Sequence, residues 1–306
     1  MRSGEFYSKG KFLLSGEYFV LYGAKALAVP LKFGQRMFVD ELPDSGILRW
    51  ETYVLDKLWF SANFHLEDMG ILKSSNEKTA FFIQKLLKEG RKLQLGLNRN
   101  TKGYYIQNHI DFDINWGLGS SSSLVSNLAY WLDIDPFALY SSSFQGSGYD
   151  VFCARAGKPI LYQLKDHFPE VHETYFKPSF TDNLYFVYLE RKQDSQESVR
   201  EFKARKFMDD HIIRKVSDLT DAMLKAASLS EFLTAMRSHE ETLSAVLGLP
   251  MVKEGLFPDF QGEIKSLGAW GGDFVMVGTS LSQKEVKEYF SRNNMPMVFK
   301  YSEIVY

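Results

Sequence analysis

The chain has 306 residues, 45% of them apolar, which suits about two domains with real cores and excludes a disordered chain. Lys plus Arg total 36 against 38 Asp plus Glu, a net charge of -2, which argues against a basic nucleic-acid binder or an acidic tail protein. The one cysteine, Cys153, cannot close an intramolecular disulfide, and the scattered histidines form no zinc spacing.

The N-terminal MRSGEFYSKGKF lacks the apolar stretch of a signal peptide, and no apolar run reaches the length of a membrane helix. A cytoplasmic chain with no membrane and no nucleic-acid partner is therefore expected. KFLL (11–14), ALAV (26–29) and RMFVDEL (36–42) read as short strands bounded by Gly or Pro, followed by ILRWETYV and KLWFSANF. SSNEKTAFFIQKLLKEG reads as a helix with Phe81, Phe82, Leu86 and Leu87 on its apolar face, Ser75 as cap and Gly90 closing it. GYYIQNHIDFDI is a predicted strand. It runs through the turn WGLGSSSS into an apolar helix over 121–132, then a short helix PFALYSSSF, the turn QGSGYD and a strand PILYQL. Periodicity lapses over 167–183, which places a domain boundary near residue 176. Beyond it come the strand LYFVYLE, two or three long helices between 195 and 247, the turn and strand LGAWGGDFVMVG, the helix SQKEVKEYFSRN and a final strand PMVFKYSEIVY. The series suggests an α+β sandwich.

Three glycine turns interrupt strong apolar runs. Gly117-Leu118-Gly119-Ser120-Ser121-Ser122-Ser123 joins a strand to a helix, where free N–H groups and the positive helix end favour a polyphosphate. A plain serine-capped turn is the simpler alternative. The P-loop spacing is absent, and Ser122 occupies the place of the third glycine in the dinucleotide fingerprint. Gly146-Ser147-Gly148-Tyr149-Asp150 sets a carboxylate after a turn, as a helix-start charge or as a general base. Gly268-Ala269-Trp270-Gly271-Gly272-Asp273 precedes a strand and allows close backbone approach. Lys11 opens an apolar strand, where a purely solvated role is less natural.

Taken in order, four segments resemble the GHMP kinases, small-molecule kinases named for galactose, homoserine, mevalonate and phosphomevalonate. They are GKFLLSGEYFVLYGAKALAVPL, WGLGSSSSL, GSGYDVFCARAGKPILYQ and GAWGGDFVMVG. The resemblance spans the whole chain. It implies a two-domain α+β fold, with a ribosomal-protein-like N-terminal domain over 1–176 and a ferredoxin-like C-terminal domain over 177–306. ATP and magnesium are the implied cofactors. Asp150 matches the residue acting as base or positioning the acceptor, and Lys11 the strand lysine thought to pair with it and with the transferring phosphate. Gly117, Gly119, Ser120, Ser121 and Ser122 match the loop around the ATP phosphates, with Ser121 placed to reach magnesium. Ser147 and Gly148 match the acceptor side, and Gly268, Gly271 and Gly272 the third-motif loop. Glu17 matches a structural motif-one glutamate.

The chain departs from the family pattern at Leu139, where many mevalonate kinases carry a magnesium-binding Glu, and at Asp113, Gly146 and Trp270. GEYFVL and Asp273 look like phosphomevalonate kinases, and GAKALAVPLKFG more like mevalonate kinases. Lys9, Arg155 and Lys158 are positional candidates for an acceptor phosphate, and Arg155 and Lys158 fit a solvated role equally. The resemblance thus implies an ATP-dependent transfer of the γ-phosphoryl group to mevalonate or phosphomevalonate in isoprenoid precursor synthesis, with a homodimer among the assemblies allowed. A mevalonate-diphosphate-type decarboxylase and a non-catalytic GHMP-fold sensor are the alternatives.

Overall fold

The computed structural model describes residues 3–43, 46–94, 102–191, 193, 195–205 and 209–306. In chain order it contains β1 (Gly4–Ser15), β2 (Ala26–Leu42), β3 (Ile47–Val54), β4 (Lys57–His65), β5 (Ile71–Ser74), α1 (Glu77–Leu93), β6 (Gly103–Ile110), α2 (Ser120–Leu132), α3 (Pro136–Ser143) and α4 (Tyr149–Cys153). There follow β7 (Ile160–Lys165), β8 (Phe168–Glu173), β9 (Leu184–Tyr188), α5 (Ser195–Ala204), α6 (Asp210–Lys225), α7 (Leu229–Leu247), α8 (Val252–Leu256), β10 (Glu263–Ser266), β11 (Phe274–Gly278), α9 (Gln283–Arg292), β12 (Val298–Lys300) and α10 (Tyr301–Ile304). Among the described residues no helix is long and apolar enough to cross a membrane.

Two compact units emerge, interleaved in sequence. The first holds residues 1–10, 33–114 and 118–155, and the second 11–32, 115–117 and 156–306. The cut expected near residue 176 divides the chain differently. The division into 1–176 and 177–306 remains a proposal.

In the first unit the strands run in the order β5-β4-β3-β6-β2. Alternation along β3 and β4 sends Leu48, Trp50, Phe60, Ala62 and Phe64 into one core with residues of α1 and α2. Tyr104 meets Trp131 edge to face, with ring centroids 5.4 Å apart. β3 and β4 are joined by Leu55 and Asp56, both left-handed at φ 49 and 61, the pairing a two-residue hairpin loop requires. In the second unit β10-β11-β9-β12 form an antiparallel sheet. Val187, Val275, Val277, Phe257 and Phe290 pack together there, and Phe19, Phe202, Val216 and Leu243 make a second cluster. Side chains of Asp209, Ser228 and Ser282 cap α6, α7 and α9.

Several expected boundaries moved. ALAV and RMFVDEL lie on one strand, β2, across Pro30. Pro30 falls outside both the pairing of Ala26–Ala28 with β7 and that of Gln35–Leu42 with β6, so its missing N–H breaks neither. In α1 the cap is Asn76, which accepts from the Thr79 N–H, while the Ser75 hydroxyl accepts from the Ser61 N–H at 3.0 Å. Phe81 is 60% exposed, and Ala80, Ile83, Leu86, Leu87 and Gly90 face the core. Gly90 is interior rather than terminal, because a Cβ there would come within 2.5 Å of Leu132 Cδ1. That close approach, not the size of Phe81, sets the phase of the helix. β8 occupies the stretch expected to lack a pattern and is paired with β7 throughout. The C-terminal strand is short, and the chain turns helical at Tyr301 once the Glu303 side chain accepts from the Lys300 N–H.

Candidate functional site

The first glycine turn begins in the second unit. Gly117 has φ 65, and an added Cβ would overlap the Asp273 carboxylate, so only glycine lets these two turns touch. Lys11 donates from Nζ to the Gly117 carbonyl at 3.2 Å. The preceding residues are anchored to the sheet of the same unit. Trp116 meets Phe274 and Phe299 edge to face, at 6.3 and 5.7 Å between ring centroids, and the Tyr188 hydroxyl donates to the Asn115 carbonyl. Asp273 is itself left-handed at φ 42, with its N–H donating to the Arg191 carbonyl at 2.7 Å. Lys11, Gly117 and Asp273 therefore converge within one unit. Gly268 supplies a control, since at φ 71 it has nothing within 4 Å of an added Cβ. Gly268→Ala should cost only left-handed strain, about 1–2 kcal/mol. Gly117→Ala adds the overlap with Asp273 and should cost about 1–3 kcal/mol more, measured by urea denaturation.

The first unit contains the other half of the expected residues. Gly119 is the left-handed N-cap of α2 at φ 95, and among the described residues no side chain caps this helix and no acid stands in its first turn. A thirteen-residue helix thus starts with N–H groups open to an anionic ligand. Ser121 is exposed and Ser120 half-buried, while Ser122 is buried and its hydroxyl donates to the Gly119 carbonyl at 2.9 Å. Gly148, at φ 81, caps α4, and a Cβ there would sit 2.8 Å from the Phe137 ring. Asp150 is half-buried in the first turn of α4, and Ser147 is buried just ahead of it. Arg155 stacks its guanidinium 3.2 Å from the Tyr130 ring centroid and donates to the Tyr7 carbonyl, so it is engaged rather than freely solvated. Lys158 is exposed, and Cys153 is fully buried in packing.

The second unit also holds a buried ionic cluster that the sequence reading missed apart from Glu17. Glu17, His239, Glu240 and Lys265 are all at most 2% exposed. Lys265 Nζ donates to Glu17 Oε1 and to the Ser266 carbonyl. His239 Nε2 accepts from the Gly16 N–H at 2.9 Å, which assigns a neutral ring with its proton on Nδ1. Burial first, then Lys265, drives His239 well below its ordinary 6.5. Burial pushes Glu17 up against the pull of Lys265. Glu240 is pushed up by burial to about 7, with Lys265 and Ser266 opposing. The only local sign was a lysine inside the apolar strand EIKSL and the pair His-Glu inside an apolar helix face.

The Glu240 shift has a definite consequence for stability. Between its ordinary value near 4.5 and about 7, the folded chain holds a proton that the unfolded chain releases. That stability is complete below the lower value and is lost as pH rises through about 7. Glu240→Gln should therefore gain on the wild type between pH 5 and 8, by about 3 kcal/mol over the whole window. Denaturant titrations at stepped pH measure it, and a constant difference contradicts it. His239 works in the opposite sense, since stability is lost as pH falls below its unfolded value.

Among the described residues no three His, Cys, Asp or Glu side chains gather to hold an ion. Leu139, the departure from the carboxylate that the resemblance leads one to expect, is fully buried. The exposed Ser121 hydroxyl is an oxygen donor of the kind magnesium accepts, which fits an ion held mainly by nucleotide phosphates.

No protein-family model matches the chain, and no curated protein matches it. Solved structures do. A mevalonate kinase from Methanococcus jannaschii superposes with a TM-score of 0.69 at 19% identity, covering 97% of each chain. A phosphomevalonate kinase from Streptococcus pneumoniae, in complex with phosphomevalonate and AMPPNP, gives 0.73 at 18% identity over 97% of this chain and 99% of that one. A galactokinase from Lactococcus lactis, complexed with galactose, gives 0.68 at 13% identity over 97% and 92%. The chain has the two-domain α+β fold of the GHMP kinases.

Proposed function

We propose that this GHMP-fold chain is an ATP-dependent phosphotransferase acting on the hydroxyl of a small acceptor, with mevalonate and phosphomevalonate the first to test. The observation that carries the reading is the convergence of Lys11 and Asp273 on Gly117, at the turn leading into the uncapped start of α2. A strand lysine at a glycine turn followed by open helix N–H groups is a place for phosphate charge. The AMPPNP-bound neighbour supports ATP as the donor, and the mevalonate and phosphomevalonate kinases support the acceptor class. The galactokinase neighbour puts sugars in the panel as well.

In this reading Lys11 and the N–H groups of Ser120 to Ser122 neutralise charge on the phosphates, and Ser121 offers its hydroxyl to magnesium. The ion supplies further charge neutralisation when bound with the nucleotide. Asp150 accepts the proton of the acceptor hydroxyl as its oxygen bonds to the γ-phosphorus and the bond to the ADP oxygen breaks. Ser147 and Gly148 shape the acceptor side, and Gly268, Gly271 and Gly272 form the turn that ends in Asp273 against Gly117. The enzyme would work in the cytoplasm, in isoprenoid precursor synthesis.

An ADP-release assay on the purified chain with magnesium, across mevalonate, phosphomevalonate, galactose and heptose phosphate, tests it. Turnover on a mevalonate-type acceptor is expected, and silence on every acceptor by folded protein refutes the kinase reading. The buried Leu139 favours a second reading, a GHMP-fold protein that binds nucleotide without turnover. ATP binding with no ADP release would select it.

A further inference from the structure

The third glycine turn needs an outside hold. Gly268, Gly271 and Asp273 are all left-handed, at φ 71, 70 and 42, within six residues. Such a segment has little conformational preference of its own for one geometry. At its base, the Leu267 N–H donates to the Phe274 carbonyl at 3.1 Å. Its middle is tied in two places. The Trp270 N–H donates to the Tyr18 hydroxyl at 2.8 Å, and the Gly271 N–H donates to Ser266 Oγ at 3.2 Å. Ser266 is in turn held from below, its N–H donating to Glu240 Oε1 at 3.0 Å in a fully buried setting.

We propose that Glu240, on α7, is a positioning residue that fixes the Gly268–Asp273 turn through Ser266, and through Asp273 the Gly117 turn to which Lys11 is bonded. The path is continuous within the second unit. It runs from Glu240 to the Ser266 backbone, from the Ser266 hydroxyl to Gly271, then through Gly272 to Asp273 against Gly117. Glu17 and Lys265 close the same cluster from the motif-one turn and from β10. Lys265 also donates to the Ser266 carbonyl at 2.9 Å, so Ser266 is gripped at both its N–H and its C=O. Gly16 lies on the other side, bonded to His239. The Glu240 carboxyl thus has its oxygen on a residue whose own hydroxyl tethers the turn.

The inference rests on the proposed kinase reading for its kinetic arm alone. Glu240→Met keeps the bulk and removes the acceptor, whereas Glu240→Gln keeps an acceptor oxygen. In the kinetic arm, Glu240→Met should lower kcat roughly tenfold or more, the scale of a small misplacement of reacting groups. KM for the acceptor should stay within about twofold, and Glu240→Gln should restore kcat to within about twofold of wild type. Ser266→Ala, which removes the Gly271 tether together with the hydroxyl's own contact to Glu240, should lower kcat in the same direction.

The second arm does not need activity. In 5-fluorotryptophan-labelled protein the five tryptophans give separate fluorine signals, with Trp270 assigned by Trp270→Phe. Glu240→Met and Ser266→Ala should move or split the Trp270 signal and leave those of Trp50 and Trp131 in place, while Glu240→Gln should not. If the wild type turns over no acceptor, the kinase reading fails and the Trp270 signal still decides the positioning. If the wild type is active but the Met and Ala variants keep both wild-type kcat and the wild-type Trp270 signal, the positioning role is overturned and the kinase reading stands. Should Glu240→Met fail to fold, Ser266→Ala alone decides by the same two readouts.

Discussion

If the proposed kinase reading holds, Asp150→Asn should lower ADP release by about 100-fold or more at saturating acceptor and ATP, the scale on which a positioned acid–base group acts. Asn has the size of Asp and keeps an acceptor oxygen, but it cannot take the proton of an attacking hydroxyl. The substitution leaves the fold alone for local reasons. Asp150 is half-buried, so no core cavity forms, and its backbone carbonyl still accepts from the Ala154 N–H at 2.9 Å. The left-handed Gly148 that starts α4 is untouched. A melting curve that matches wild type, together with steady-state rates, separates lost chemistry from lost structure. Turnover within a few-fold of wild type would remove Asp150 from the mechanism.

Lys265→Met destabilises the chain by about 3–5 kcal/mol at neutral pH, which removal of one member of a buried ion pair costs. Lys265 is 0% exposed and Glu17 2%, so water cannot replace the lost partner. The remaining carboxyl must stay charged without a cation or take up a proton. Adding Glu17→Gln to Lys265→Met removes that stranded charge and should recover a large part of the loss. The double-mutant cycle by urea denaturation gives the coupling directly. A single variant within about 1 kcal/mol of wild type would show that the pair is not held as the geometry indicates.

These two predictions draw on different layers of information. The setting of Asp150 is legible in the sequence because it is local: a glycine turn, a helix start and a carboxylate within five consecutive positions. The same holds for Gly117 and Gly119. Backbone sterics demand glycine wherever φ is positive and space is short, and this demand shows in a linear pattern. Strand alternation in β3, β4 and β6 was legible for a similar reason, since side chains along a strand point to opposite faces whatever lies beyond.

Lys265 and Glu17 are 248 positions apart, and nothing near either residue names the other. Glu240 reads as one acid among many until α7 packs on β10. Size alone puts Phe81 on the inner face of α1 with Phe82, Leu86 and Leu87, and of these only Phe81 departs. The helix instead turns Gly90 and Ala80 to its neighbours and leaves Phe81 in solvent. Pro30 reads as a strand end in the sequence, because only the folded sheet shows that it falls outside the pairings of β2 with β6 and with β7. The glycine turns, the helix that follows Gly119 and the carboxylate after Gly148 are legible in the linear chain, since each depends on dihedral angles and neighbours a few residues away. Tertiary structure decided which charges are buried together, which face of a helix is inside and which turn rests on which, because burial and close approach depend on segments that meet only after folding.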